Sequence, residues 1–445
     1  MGRDVLSSEV KWLQDVIPQG MDELGILGRI RITHTPSSSL CLICKGGRML
    51  CGKSYCPIIA KARSMVRPML QTISSHIEGT TPPGVFVGRI GYPKVYIGPM
   101  VPPYRGDTEI LDTPELWGNK GIQDIIDYRF SLIRGKARAN VYDARDGGRL
   151  LDSLREIAMG KHPVDAEAVL TKPPHNTITL SGEVQPFGPS APLKSFTASD
   201  VSVDRRIEDA FYDKDLKAAD AVLELYHDEV LVTRIQRAFS LGMFGRTKHR
   251  KLVPTRWSIT AVDSIISQAL INQIKDQDTI DEYRVYSFSR LDNLFVAILF
   301  PERWSFEWIE AWFPGTTWNP NTKRDKAEMM SDWEPYQGRT NYPDIGGCYY
   351  ACRLAVAEHL NQERRQASAL VIREIHPGYI LPLGVWFTRQ SVREMFRVKP
   401  QKFGSLQEAL DHAMKRLTIP FRKWVETSEL LKRELFQRKL RDFIT

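Results

Sequence analysis

Residues 283–300 read YRVYSFSRLDNLFVAILF. Two runs rich in β-branched and aromatic residues, 283–288 and 294–300, flank the polar stretch 289–293, which is the pattern of two strands joined by a turn. Strands joined directly break the strict strand–helix–strand rhythm of a doubly wound parallel sheet, and the segments on either side break it too. Downstream come a Trp-rich segment from Trp304 to Trp333, a turn at Gly346 and Gly347, and a helix from Cys348 to Arg365. Strand-like runs at 369–375 and 380–387, a helix at 406–417 and a charged helical tail over 420–445 complete that half. Upstream, helical periodicity covers 205–241 and 260–277, and 85–101 (VFVGRIGYPKVYIGPMV) reads as a hairpin. Residues 8–24, 60–77, 123–137 and 148–159 pattern as helices, and 26–33 as a strand. Six prolines in 160–202 point to a long ordered loop or a strand-bearing insertion, with TITLSGEV (177–184) as its strand. The expected class is mixed α+β, with an N-terminal four-cysteine zinc module and a C-terminal helical tail. No period between about 20 and 50 residues repeats, which disfavours solenoids and propellers.

The chain has 445 residues, 42% apolar and 26% charged, enough for two or three cores. Its 61 Lys and Arg against 53 Asp and Glu leave a formal charge of +8, a weak pointer to a polyanion or anionic ligand. No apolar run approaches the ~20 residues that span a bilayer, so no membrane is expected. The first 24 residues carry charges where a signal peptide needs an apolar core, so a cytoplasmic, nucleoid-associated location is expected.

Four of the six cysteines, Cys41, Cys44, Cys51 and Cys56, form C-x2-C-x6-C-x4-C. Two thiolates separated by two residues can face one ion across a tight turn, and a reversal at Gly46 and Gly47 lets the second pair complete a tetrahedron. One Zn²⁺ per chain is the expected occupant. An iron–sulfur cluster is the competitor, because Cys56 precedes Pro57 as the last cysteine of a ferredoxin run does, although the inner spacings differ. His34 is an alternative fourth ligand. Residues 47–54, GRMLCGKS, also satisfy the phosphate-loop pattern G-x-x-x-x-G-K-[ST]. Cys51 inside that loop, and Cys56 with Pro57 where its helix should run, argue for the metal instead.

At the other end, Gln437, Leu440, Phe443 and Ile444 spell Q-x-x-L-x-x-F-I. Leu440 and Phe443 fall on one side of a single 3₁₀ turn, and both can fill an apolar pocket. The pattern resembles the peptide by which replication and repair proteins dock on the sliding clamp PCNA, with Ile444 where a second aromatic is usual. The competing reading packs Leu430, Leu431, Leu435 and Leu440 as an ordinary terminal helix.

A cysteine cluster at one end and a clamp peptide at the other resemble the archaeal Nre (novel repair) family. The segments FVGRIGYPKVYIGPMVPP (86–103), GPSAPL (188–193) and RKLVPTRWSITAVD (250–263) are similar to that family's. The resemblance implies a DNA-damage-repair factor that works with the clamp, and with it an organisation into an N-terminal helix and strand (1–33), the zinc module (34–60), two α+β domains (61–303 and 304–429) and a clamp-binding tail (430–445). It carries over no catalytic mechanism.

Two segments carry candidate contacts to DNA or a nucleotide. RTKHRKLVPTRW (246–257) sets Arg246, Lys248, His249, Arg250, Lys251 and Arg256 in a basic loop ending at Trp257. Such cations displace phosphate counterions, and an aromatic face can stack on a base. The alternative is a solvated loop with Trp257 in the core. In the Gly-Pro hairpin, Arg89, Lys94 and Arg105 lie near Gly88, Gly91 and Gly98, where phosphate can approach the backbone, although an ordinary tight hairpin has the same composition. Trp304, Trp308 and Trp312 recur at a helical spacing of four and read as core, as do Cys348 and Cys352. His359 beside Glu358 and His376 beside Glu374 nominate no catalytic dyad. Three functions remain in play: a clamp-tethered, zinc-containing repair protein that engages DNA or a nucleotide, a nucleotide-processing enzyme with an Arg- and Gly-lined anion pocket, and a non-catalytic adaptor to other repair proteins.

Overall fold

The computed structural model describes residues 38–44, 46, 49–54, 56, 58–60, 74–174, 181–182, 184–322, 326–379 and 381–436. The elements expected in 8–33 and the clamp peptide lie outside the described residues, as do 61–73 of the helix expected over 60–77; the end of that helix is strand instead, because His76 and Ile77 open β1. The class is mixed α+β, built on two mixed six-stranded sheets. The chain divides into two compact units, one comprising 59–266 with 381–387, the other 1–58, 267–380 and 388–445.

The sheet of the first unit runs β1 (His76–Thr81), β5 (Val164–Leu170), β6 (Ser190–Ala198), β4 (Ile133–Asn140), β3 (Lys94–Val101) and β2 (Val85–Val87). All neighbours are antiparallel except β4 and β6. The expected hairpin over 85–101 is present as β2 and β3. One reading is corrected here and another is relocated. The helix expected over 123–137 is Ile122–Ser131, with β4 starting after Leu132, and the strand-bearing alternative for 160–202 holds with its strands at β5 and β6, on either side of 177–184, of which 177–180 and 183 lie outside the described residues. Pro192 lies within β6 and accepts from Thr171 N at 2.9 Å, and two residues on the β5–β6 register shifts at a bulge that leaves Lys194 without a partner in β5. One face of this sheet is apolar, with Val85, Val87, Val95, Ile97, Ala168, Leu170 and Phe196 buried, and the helices Arg149–Met159 and Val232–Ser240 pack on it. The other face carries the polar positions of the same strands.

The second sheet runs β10 (Glu328–Glu334), β9 (Ser305–Trp312), β11 (Ser368–Ile375), β8 (Asn293–Phe300), β7 (Tyr283–Arg290) and β12 (Gln401–Phe403). The hairpin read in 283–300 is β7 and β8, with a turn narrower than the sequence suggested. Leu291 and Asp292 alone make it, at φ 48° and 55°, the positive values a two-residue hairpin turn requires. β9 and β11 are buried along their whole length, and β8 at every position but Leu294. One face packs Val296, Ile298, Ile309 and Leu370 against Leu410, Trp424, Leu430 and Leu431 from the helices Leu406–Met414, Phe421–Thr427 and Glu429–Phe436. On the other, Phe306 meets Tyr349 of the helix Cys348–Glu363 at 5.1 Å between ring centroids. Trp304, Trp308 and Trp312 are core, as expected, but Trp308 and Trp312 lie on a strand rather than a helix and Trp304 immediately before it. Their spacing of four is two full strand periods as well as about one helical turn. The strand expected over 380–387 is replaced by an irregular 381–384 and the start of the helix Val385–Arg397.

One buried carboxylate fixes how the terminal helices meet this sheet. Glu307 of β9 is fully buried and accepts from Ser428 Oγ at 2.5 Å, Leu430 N at 2.8 Å and Glu429 N at 3.0 Å, and also from Ser331 Oγ. It therefore satisfies the free amides at the start of the helix Glu429–Phe436, where the helix dipole favours a negative charge. Burial outweighs these bonds and pushes its carboxyl above the usual range. Replacing it by glutamine keeps the shape but turns an amide donor toward other donors. Glu307→Gln should cost about 2–4 kcal/mol, the range for a broken buried charged network. Denaturant unfolding followed by tryptophan fluorescence measures it, and an unshifted midpoint would show that this cap does not hold the helix.

Candidate nucleic-acid interface

The polar face of the first sheet is made by alternation. In β4, IRGKARAN, every second residue is a cation, Arg134, Lys136 and Arg138, while Gly135 turns to the packed side. A side chain at Gly135 would strike Leu193 Cδ1 at 2.5 Å, so that face must stay bare. Tyr96 of β3 pairs with Arg138 in the antiparallel register and stands on the same face. The Arg138 guanidinium lies 4.3 Å from the Tyr96 ring centroid and Lys136 Nζ 5.8 Å from it. Burial, with help from Arg134 and Lys172, pulls the Lys136 ammonium below its ordinary pKa. At the covered end of the face, Arg134 sits over Phe86 and Phe187, at 5.3 and 4.6 Å from their centroids, and burial with the neighbouring Arg129 draws it down to about 9.

The cationic face continues past the end of β4. Asn140 caps the 3₁₀ turn Val141–Ala144, accepting from Tyr142 N at 3.1 Å, and the turn presents the Tyr142 ring, 44% exposed, to solvent. Arg145 and Lys251 flank that ring at 4.8 and 5.2 Å from its centroid. Lys251 arrives there because Leu252 N donates to Val141 O at 2.8 Å, so the basic loop runs alongside the end of β4. The Gly-Pro hairpin joins the same place. Its Tyr92 ring packs 5.4 Å from Trp257, Val141 N donates to Pro93 O at 2.9 Å, and Arg138 donates to Lys94 O at 3.3 Å. The two candidate segments, about 150 residues apart in the chain, are thus one surface.

Within that surface the expected residues differ in role. Arg246, Lys248 and His249 are exposed on a short 3₁₀ turn, Arg89 is exposed at the hairpin tip, and Lys251 and Arg256 are half-buried. Arg250 is buried and donates to the carbonyls of Gly245 at 2.6 Å, Phe211 at 2.7 Å and Asp213 at 3.2 Å, which makes it a clasp for the loop. Arg256 and Trp257 belong to the first turn of the helix Thr255–Ile274 rather than to the loop, and Trp257 is buried. Arg105 faces Glu78 and Asp165 at 3.8 and 3.7 Å. With Glu167 and His76, which meet at 3.0 Å, these form an acidic end of the same sheet on β1 and β5. The sequence reading passed over Tyr96, Lys136, Arg138, Tyr142 and Arg145. A cation at every second position of RGKAR was the available signal, hidden by reading that stretch as helix.

The other candidates lie in the second unit. Cys44 is buried, and Cys41, Cys51 and Cys56 are half-buried. Burial and the charges of Cys44, Cys56 and Cys51, in that order, push the Cys41 thiol up to about 11. Thiols close enough to raise the pKa of Cys41 are a donor set that a divalent cation would relieve, although among the described residues no three His, Cys, Asp or Glu side chains are arranged to hold a metal. Cys348 and Cys352 are buried within their helix. His359 faces Tyr286 Oη at 3.0 Å and Glu363 at 3.5 Å, while Glu358 pairs with Arg393 at 2.6 Å, so these sequence neighbours do not pair with each other; His376 does meet Glu374, at 3.5 Å. Among the described residues no helix is long and apolar enough to cross a membrane.

The profile described as "Archaeal Nre, N-terminal" matches residues 50–319, and "Archaeal Nre, C-terminal" matches 334–443. The DNA repair protein NreB of Archaeoglobus fulgidus is 43% identical over 91% of this chain and all of its own length. The DNA repair protein NreA of the same organism is 39% identical over 85% of this chain and 93% of its own. In Haloferax volcanii, the DNA repair protein NreA is 38% identical over 72% of this chain and 78% of its own. No solved structure matches. With both profiles matched and identities of this size over most of each chain, the protein belongs to the archaeal Nre family.

Proposed function

We propose that this protein serves DNA repair by holding DNA on the cationic face of its first sheet, while its C-terminal peptide docks on the sliding clamp PCNA and one zinc ion braces its cysteine segment. The repair role is supported by relatives named as DNA repair proteins. The observation that carries the DNA reading is Tyr96 between Lys136 and Arg138, continued by Tyr142 between Arg145 and Lys251. Cations beside aromatic rings on an open sheet give phosphates a counter-charge and bases a stacking surface, and they need no sequence preference. Reversing Lys136, Arg138 and Lys251 to Glu should weaken DNA binding at least tenfold. It should also reduce the salt dependence of log K by about 2–3, since each lost phosphate contact removes ~0.9 from the slope. Fluorescence anisotropy across a salt series reads both, and an unchanged slope in the folded triple variant would remove DNA from this face.

The clamp reading rests on Gln437, Leu440, Phe443 and Ile444, which follow directly on the helix Glu429–Phe436. Short docking peptides concentrate their binding in a few buried anchors. Leu440→Ala with Phe443→Ala should therefore abolish most clamp binding in calorimetry with an archaeal clamp, while the fold stays intact. Equal affinity of variant and parent would show that docking, if any, lies elsewhere.

For the metal, Cys41, Cys44, Cys51 and Cys56 are the ligands. Bound zinc would hold the thiolates as anions and close the segment into a structural knuckle. Metal analysis of freshly prepared protein should give about one zinc per chain, and iron with visible charge-transfer absorption, or no metal, would overturn the assignment.

A further inference from the structure

The most exposed apolar side chain named on this face is Ile90, at the tip of the β2–β3 hairpin, with 79% of its surface in water. It stands among cations. Arg89 precedes it, Lys94 closes the turn, and the Arg138 guanidinium comes so close beneath that a side chain on Gly91 would lie 3.2 Å from it. An isolated isoleucine in a cationic setting is poorly suited to an apolar protein groove, whose lining would desolvate the charges. It is well suited to a base stack, where apolar faces alternate with a phosphate rim.

The tip is also braced. Gly88 N donates to Tyr96 O at 2.7 Å, Tyr92 N to Arg89 O at 3.3 Å and Lys94 N to Gly91 O at 2.8 Å. Gly91 turns at φ +86°, and a side chain there would lie 2.8 Å from Lys94 O, so the turn admits only glycine. Tyr92 behind the tip leans on buried Trp257. A wedge needs such support, because a mobile loop would fold aside instead of parting two stacked bases.

We infer that the hairpin tip is a wedge for duplex DNA: Ile90 enters the base stack between two pairs, Arg89, Lys94 and Arg138 hold the phosphates on either side, and the strand opened by this step lies toward Tyr96. The inference rests on the DNA-binding reading of this face and assigns a structural consequence to it. The parts lie in order: Arg138 stands opposite Tyr96 in the strand register with its guanidinium 4.3 Å from that ring, and the same guanidinium reaches Gly91, next to Ile90 at the tip.

Short duplexes carrying one 2-aminopurine each, with the label moved along the set, report unstacking wherever the wedge enters, because the base brightens when its neighbours separate. The full-length parent should raise the fluorescence severalfold for at least one label position. Ile90→Ala should lose that rise and bind several-fold more weakly with the salt slope of the parent, and Ile90→Phe, a larger wedge, should keep it. Since the side chain is almost wholly exposed, neither change threatens the fold. Binding by the parent with no rise at any position, or a rise retained by Ile90→Ala, overturns the wedge and leaves the cationic face standing. No binding of duplex by the parent at any salt overturns both.

Discussion

The first unit depends on a single buried carboxylate shared by two arginines. Asp112 is 4% exposed and pairs with both Arg129 and Arg237, the latter at 2.8 Å. The arginines come from different helices, Ile122–Ser131 and Val232–Ser240. Their remaining donors go to backbone carbonyls: Arg129 to Pro186 O at 2.8 Å and Arg237 to Pro83 O at 3.0 Å. Five groups that are remote in sequence are thereby held at one point. Gly84 has to be glycine because a side chain would meet Asp112 Oδ2 at 2.6 Å. With one anion for two guanidiniums, the carbonyl dipoles must carry the surplus, and burial draws Arg129 below its ordinary pKa all the same. The cluster covers the Met100 end of β3, to which Arg129 donates through sulfur, and leaves the Lys94–Tyr96 end open. The position of the cationic face follows from that.

The second unit uses buried charge differently. Glu310 with Arg373 at 3.1 Å and Glu334 with Arg353 at 2.8 Å are closed pairs, each carboxylate matched by one guanidinium, and Glu307 closes a helix end. Pairs of this kind seldom add net stability, since desolvation offsets the attraction, but they penalise every other register. β11 lies between β8 and β9 and is buried on both faces, so apolar content alone would not distinguish a shift of two residues along it. The Arg373–Glu310 pair, set directly across the β11–β9 register, does.

How much of this was legible follows from which signals are local. The hairpins at 85–101 and 283–300 were readable because a two-strand pattern with a polar turn lies within some 18 residues. The long helices at 149–159 and 348–363 were readable for the same reason. β4 was not: IRGKARAN is short, has only one large apolar residue and follows a helix without a break, so helical periodicity carried across its start. β5 and β6 were obscured by prolines, one of which, Pro192, lies within β6 itself, where the strand is defined by its pairing with β4 and β5 rather than by local pattern. For the candidate site, the composition of the basic loop and the hairpin was visible. Their adjacency was not, because it depends on Leu252 reaching Val141 and Tyr92 reaching Trp257 across the fold. Nor could the sequence sort Arg250 from Lys248: two cations two residues apart differ only in that one is folded inward onto carbonyls.

A net charge of +8 on 445 residues says little by itself, and the sheet shows why the sum is the wrong quantity. The solvent-facing positions of β3 and β4 carry Lys94, Lys136 and Arg138, while those of β1 and β5 carry Glu78, Asp165 and Glu167 with His76 and Arg105 set against them. At an ionic strength near 0.15 M the screening length is about 8 Å, less than two inter-strand spacings. A polyanion at β4 therefore meets the cations beneath it almost independently of the acidic strands two places away. Those strands repel the same polyanion if it strays, so the segregation both attracts and aligns. A backbone held on β3 and β4 has its free direction along the strands, toward Tyr142 and the hairpin tip, where the next cations are Arg145, Lys251 and Arg89.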